Sequence, residues 1–409
     1  MDRQSRLVRW YKSAALLLLN FLVFLVVANV ALYVLFRVKD ARTARHNAQE
    51  ITRIHENSSL RAVYPGMDAE AISQLIHETW SRPYAYEPFT QFKERPFHGR
   101  FVNVSEDGFR VSKDQGPWPP DPGNYNVFLF GGSTTFGYGV PDDQTVASYL
   151  QDDLRRATSA TVCVYNFGRS SYVLEQERVL FEELLLAGTV PDLALFIDGL
   201  NEFAFPFGPA ETQRLQAVFD SKPDALDRWG WLESLPMTRF AHFSRRVAVS
   251  AASHRRRSDP RNTEPTAAFD DGKYHDPEVI AGVIARYLNN KRFTEVVARE
   301  YGTRAVFVWQ PIPLYKYDLH HHLFATSDFG SNFFARYGYR YMADRMDEAS
   351  VQGNFLWCAD IQENLAEPLY VDKVHYTARM SALVASTISD GLVGHGLLQA
   401  PAESHASAP

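Results

Sequence analysis

Phe128-Leu-Phe-Gly-Gly-Ser-Thr-Thr-Phe-Gly137 joins an unbroken apolar run to a glycine pair and then to Ser133. The run begins at Val127, and the next regular segment, Thr145–Ala157, has helical spacing. A strand that is apolar on consecutive residues is covered on both faces, the condition of a parallel sheet sandwiched by helices. A serine just past such a strand projects its hydroxyl into the crevice beyond the carboxyl ends. Backbone N–H groups at a helix start can there hold an oxyanion. A phosphate cradle and a plain tight turn are the competing readings of the same glycines. A P-loop would carry Gly-Lys before its Ser or Thr, and this turn has no lysine; G-x-G-x-x-G and G-x-S-x-G are missing too.

The pattern repeats outward. Thr161–Phe167 reads as the next strand, Leu174–Ala187 as a helix and Leu193–Ile197 as a third buried strand. Further on, Glu278–Tyr301 is helical, Ala305–Gln310 is a strand stopped by Pro311, and Phe333–Ala349 is helical again. Phe355–Ala359 is a short strand and Ala378–Leu392 a closing helix. Alternation of this kind predicts an α/β domain with a parallel sheet between two helical layers. Residues 204–275 break the alternation with proline, glycine, aromatic clusters and the basic run His254–Arg257, and are expected to form an insertion or lid over the site. Upstream, Arg100–Val111 places two apolar runs around Asp107-Gly108, a hairpin signal. Residues 37–95 are expected to be a juxtamembrane connector, helical over Asp68–His77, and 396–409 a disordered tail.

Three more motifs sit at predicted strand ends or near the C-terminus. Asn166-Phe-Gly-Arg169 offers the uncovered N–H of Gly168, or is a simple turn. Asp198-Gly-Leu-Asn-Glu202 offers the Asn201 amide, which suits either an oxyanion or a helix cap. Asp372-Lys-Val-His375 places a carboxylate one turn from an imidazole, where it can fix the tautomer and stabilise the imidazolium. His320-His-His322 has no carboxylate or cysteine complement that would make it a metal site.

Ser13–Phe36 holds no charged residue, and its 24 residues as a helix suffice to cross a bilayer core. It lacks the polar stripe of a buried helix, and its apolar run continues past the small residues that a signal peptidase would need. An uncleaved anchor is expected, with residues 1–12 before it. Four basic residues precede the span and four follow it, so charge does not choose an orientation. The whole chain of 409 residues has 42 basic and 48 acidic side chains, a net charge of −6, which argues against a nucleic-acid partner. Its two cysteines exclude a disulfide framework and a cysteine-rich zinc site.

Gly-Gly-Ser on the first strand, Gly on the second, Gly-x-Asn on the third and Asp-x-x-His near the C-terminus together resemble the SGNH, or GDSL-like, hydrolase family. Its four letters correspond to Ser133, Gly168, Asn201 and His375. The resemblance covers roughly residues 96–395, including a leading strand with Gly108-Phe-Arg110 similar to that of membrane-linked bacterial members. It departs in having Gly132 where the family has Asp, and Glu202 after the Asn. It implies a flavodoxin-like three-layer domain behind one N-terminal transmembrane helix. It also implies a serine esterase with Ser133 as nucleophile, His375 as base and Asp372 as orienting carboxylate. Ser133, Gly168 and Asn201 would form the oxyanion hole, with no metal or organic cofactor. The substrate would be an acyl ester on a cell-surface glycan or a lipid, the other partner the bilayer, and protein partners are unspecified. A polysaccharide O-acyltransferase and a catalytically idle glycan-binding protein are the alternatives. By the same analogy the protein lies in the plasma (inner) membrane with the catalytic domain on the extracytoplasmic side. In a sheet ordered 2-1-3-4-5, Cys163 and Cys358 occupy opposite edges about 19 Å apart, too far for a disulfide.

Overall fold

The structure, a computed structural model, describes residues 3–55, 58–210, 212, 275–325, 329–348, 351 and 353–398. Most of the expected insertion and the tail beyond 398 lie outside the described residues.

The chain divides into two units, Met1–Glu56 with Ala217–Ala268, and Asn57–Gln216 with Phe269–Pro409. In the first unit, α1 runs without interruption from Arg3 to His55. Its apolar part, Val8–Val34, is long enough to cross a membrane and contains the expected span up to Val34. Leu16, Phe21 and Phe24 are exposed along it. Asn29 Nδ2 donates to the Leu25 carbonyl at 2.8 Å, which satisfies a polar side chain within its own helix.

The second unit takes in residues from Asn57 onward. The connector expected over 37–95 splits, because residues from 57 onward belong to this unit and only the part up to 56 goes with α1. Helices α2 (Ser58–Val63) and α3 (Ala69–Trp80) precede a hairpin of β1 (Tyr84–Glu87) and β2 (Gln91–Glu94). Asp68 caps α3 by accepting the Ala71 N–H at 2.8 Å. The carboxylate of Glu78, in the last turn of α3, accepts the N–H groups of Arg100, Phe101 and Val102 at 2.8–3.1 Å. Those bonds hold Glu78 below its ordinary value against the opposing effect of burial.

The short strands β3 (Phe97–His98) and β4 (Asn103–Val104) pair antiparallel. The expected Asp107-Gly108 hairpin is reduced to a tight turn closed by a Val104–Arg110 bridge. Gly108 supplies its positive φ of 85°. Arg110 bridges onward to Asn166, so this segment extends the edge of the main sheet.

That sheet is parallel throughout. Its strands are β5 (Tyr125–Gly131), β6 (Val162–Asn166), β7 (Leu193–Asp198), β8 (Arg304–Trp309) and β9 (Phe355–Trp357), in the order β6-β5-β7-β8-β9. Alternation along β5 sends Phe128 and Phe130 to one face, Val127 and Leu129 to the other. The aliphatic face packs on α5 (Val146–Ala157) and α10 (Ala378–Gly394), through Leu150, Leu154, Met380 and Val384. The aromatic face packs on α6 (Leu174–Leu186), α8 (Pro277–Glu300) and α9 (Phe333–Ala343). Register pairs Phe130 with Phe196 and Phe196 with Phe307. Their rings stack at 4.9 and 5.2 Å, close to the strand spacing itself. Each buried phenyl contributes about 1.5–3 kcal/mol.

The order 2-1-3-4-5 opens a crevice beyond β5 and β7, where successive connections leave in opposite directions. Cys163 on β6 and Cys358 just after β9 stand at the two edges, both buried and both free thiols, as the strand order requires. Burial pushes the Cys358 thiol up to about 12.

Candidate active site

The chain leaves β5 through Gly131, whose φ of 153° and tight surroundings admit no side chain. A Cβ there would lie 2.1 Å from Thr135 Oγ1 and 2.8 Å from the Ile197 carbonyl. The turn runs directly into α4 (Ser133–Phe136), so Ser133 is its first residue. Its N–H is among those that a helix leaves without an internal acceptor.

His375 Nε2 lies 2.8 Å from Ser133 Oγ, although 242 positions separate the two residues. On the other side of the ring, His375 Nδ1 stands 2.7 Å from Asp372 Oδ2 and 2.9 Å from Oδ1. Asp372 Oδ1 also accepts the backbone N–H groups of Val374 and His375 at 2.9 Å. Burial works against this carboxylate, but the facing imidazole and the two N–H groups outweigh it and hold Asp372 at about 2. Asp372, His375 and Ser133 thus form one continuous relay.

Gly168 and Asn201 also reach this crevice. Gly168 lies against α4 so closely that a Cβ would sit 2.3 Å from the Phe136 nitrogen. Its N–H, expected to be uncovered, donates instead to Asn166 Oδ1 at 3.0 Å. Asn166 Nδ2 in turn donates to the Thr135 carbonyl at 2.9 Å, clamping the end of β6 to the serine turn. Asn201 belongs to α7 (Leu200–Ala204) and donates from Nδ2 to the Tyr172 carbonyl at 2.8 Å. An amide carries two such hydrogens, so one remains for another acceptor. Glu202 turns inward, where Oε1 accepts the Leu174 N–H at 2.7 Å. Burial, with the nearby Glu175 charge, pushes it up to about 7 against the opposing Leu174 N–H and Arg286 charge. Burial beside one another pushes both Glu177 and Asp198 well above their ordinary values.

Several supporting residues were invisible to motif reading. Gln310 follows β8, and its Oε1 accepts from Thr134 at 2.6 Å and from Tyr376 at 3.3 Å. These are the residues directly after Ser133 and His375, so one amide oxygen ties the two halves of the relay. Arg110 is fully buried, pairs with Asp142 at 3.0 Å, and donates to the carbonyls of Phe136, Gly137 and Val140. It thereby closes the open end of α4 with a positive charge. The only advance sign was the Gly108-Phe-Arg110 pattern. Around His375, Tyr138 stacks at 5.4 Å and Trp80 stands edge-on at 5.2 Å. Tyr138 is fixed by donating to Glu94 Oε1 at 3.0 Å.

Among the described residues no cluster of His, Cys, Asp and Glu has the makings of a metal centre. His320 is instead turned onto Asp318 at 2.7 Å.

No family profile matches the chain, and no curated protein matches it. Solved structures do show a likeness. A member of the lipolytic protein G-D-S-L family from Veillonella parvula is 10% identical with a TM-score of 0.35, over 66% of this chain and 98% of that one. The lipase Lip_vut3 from a goat rumen metagenome is 11% identical with a TM-score of 0.39, over 68% and 100%. A catalytic mutant of Axe2, an acetylxylan esterase from Geobacillus stearothermophilus, is 12% identical with a TM-score of 0.34, over 66% and 94%.

Proposed function

We propose that the protein is a membrane-anchored serine esterase of the SGNH, or GDSL-like, kind. The observation that carries this reading is the continuous relay Asp372–His375–Ser133, with contacts of 2.7 and 2.8 Å. His375 Nε2 takes the Ser133 proton as Oγ attacks an acyl carbonyl, and Asp372 holds the imidazole in the required tautomer. The resulting oxyanion is received by the Ser133 N–H and the remaining Asn201 N–H. Gly168 joins them by releasing Asn166 Oδ1. His375 then returns the proton to the leaving alcohol. Water, activated by the same imidazole, resolves the acyl-enzyme.

The exposed apolar side chains of α1 support the anchor, since Leu, Phe and Val on every side of a helix are stable in lipid and not in water. Orientation follows by analogy with anchored SGNH proteins, N-terminus inside and esterase domain outside. Hydrolysis of p-nitrophenyl acetate by the full chain in detergent tests the catalytic reading. Ser133→Ala should abolish it, and equal rates would defeat the assignment. A phosphatase reporter fused after Ala400 should be active outside the cytoplasm.

A further inference from the structure

Of the three consecutive histidines at 320–322, only the last is buried, and the two before it face Asp318 at 2.7 and 4.0 Å. The His322 ring lies flat on Tyr370, with centroids 5.2 Å apart and planes 4° apart. Tyr317 and Phe329 pack beside it at 6.3 and 6.1 Å. Both ring nitrogens are engaged. Nδ1 stands 3.2 Å from the Phe324 nitrogen, and Nε2 stands 3.3 Å from the Lys373 carbonyl oxygen. These partners cannot exchange roles, because a backbone N–H only donates and a carbonyl only accepts. Nδ1 therefore keeps its lone pair, Nε2 carries the hydrogen, and the ring is neutral.

The Lys373 carbonyl belongs to the same peptide group as the Val374 N–H, which donates to Asp372 Oδ1 at 2.9 Å. One planar unit thus has His322 at its oxygen and the carboxylate of the relay at its hydrogen. Pinned at both ends, that peptide fixes Oδ1, which faces His375 Nδ1 at 2.9 Å. Donation to the carbonyl also polarises the N–H at the other end and strengthens its bond to the carboxylate. The Val371 N–H donates to the His375 carbonyl at 2.9 Å, and Tyr370 bridges to Tyr376. Those bonds hold the flanks of the turn; His322 and Asp372 hold its tip.

A second proton on the ring would undo this. An imidazolium donates from both nitrogens, so Nδ1–H would be set against the Phe324 N–H and the ring could not keep its place. Burial holds His322 below its ordinary value, although the Lys373 carbonyl and the Asp372 charge favour the charged ring. Asp372 is the charge that faces it from the catalytic loop. Tyr370 and Tyr317 face it with hydroxyls that burial pushes up, and Asp318, His320 and His321 lie on its own segment. We propose that His322 is a positioning residue for the Asp372–His375 pair, a latch that steadies the 373–374 peptide while its ring is neutral and releases it when the ring is protonated. The inference rests on the esterase reading and adds a point of control to the same relay.

Hydrolysis of p-nitrophenyl acetate by the full chain in detergent tests the latch, with Ser133→Ala as the control for the esterase reading. His322→Phe keeps a ring on Tyr370 but loses the donor, and should lower kcat about tenfold at about pH 8 with KM nearly unchanged. His322→Gln, whose amide N–H can reach the same carbonyl and does not titrate, should recover most of that loss. In acid, wild-type kcat should fall with the uptake of about two protons, one by the base and one by the latch, and that of His322→Gln with about one. Nitrogen-15 spectra of histidine-labelled Ser133→Ala protein read the ring without turnover. The signals that His322→Gln removes should be those of a neutral ring with its hydrogen on Nε2. Hydrolysis that survives Ser133→Ala would refute the esterase reading, and with it any role of His322 in this relay. With the dependence on Ser133 intact, the latch alone would be overturned by full kcat in His322→Phe, by His322→Gln as impaired as His322→Phe, or by equal proton counts. A ring found charged, or with its hydrogen on Nδ1, would overturn it too.

Discussion

Replacing Gly132 with alanine isolates the role of Asn201 without touching either the nucleophile or the amide. Gly132 has φ −79° and ψ −159°, a conformation that alanine adopts freely, so no backbone strain is introduced. The added Cβ would stand 2.3 Å from Asn201 Nδ2, whereas its next contacts, Asn201 Cγ at 3.4 Å and the Tyr172 carbonyl at 3.6 Å, are tolerable. The amide nitrogen must therefore recede by about 1 Å to reach ordinary contact, which takes its free N–H away from the developing oxyanion. Loss of one such donor costs about 2.7–4 kcal/mol, or 10²–10³ in kcat. Gly132→Ala should accordingly lower kcat on p-nitrophenyl acetate by on the order of 10²-fold, with KM and the melting temperature nearly unchanged. In an Asn201→Ala background there is no amide to displace, so the same substitution should add almost nothing. If the two changes multiplied, or if Gly132→Ala kept full activity while folded, Asn201 would not be an oxyanion donor.

Asp372→Asn should leave the loop intact, because an amide oxygen still accepts the Val374 and His375 N–H groups, but its N–H₂ favours the wrong imidazole tautomer. A drop in kcat on the order of 10⁴ is expected by steady-state kinetics, with unchanged circular dichroism. Gln310→Leu removes the acceptor shared by Thr134 and Tyr376. Thermal melts should show a loss of about 1–3 kcal/mol, and kcat should fall by up to about 10² as the relay loosens. Adding Thr134→Val should restore stability and not kcat. Glu202 has its folded-state value raised from 4.5 to about 7, so between those values the folded chain holds a proton that the unfolded chain has released. Stability should therefore fall as pH rises through that window, by on the order of 2–3 kcal/mol. Glu202→Gln, which keeps the acceptor for Leu174, should flatten the slope in denaturant titrations at pH 5 and pH 8.

The sheet was legible because its strands are apolar on both faces and are punctuated by glycine and proline, as at Gly131-Gly132 and Pro311. Ser133, His375 and Asp372 were legible because they sit at a strand end and in one short C-terminal motif. What supports them was not. Gln310 reads as the polar end of a strand, and its meaning depends on two hydroxyls brought to it from positions 134 and 376. Trp80, Glu78 and Arg82 lie in a stretch whose composition resembles a connector, because their partners at 94, 100–102 and 138 are fixed only by tertiary packing. The engaged N–H of Gly168 was equally hidden, since a glycine in a turn says nothing of the asparagine two residues earlier.

The separation of 242 positions between Ser133 and His375 sets an order of events during synthesis. Ser133 is made first, and His375 follows 242 positions later. At roughly 5–20 residues per second, the serine waits some 12–50 s before any imidazole can reach it. On the proposed reading, the Ser133 hydroxyl stays inactive over that interval. On the same reading, chains that stop short of residue 375 lack the base and hydrolyse nothing.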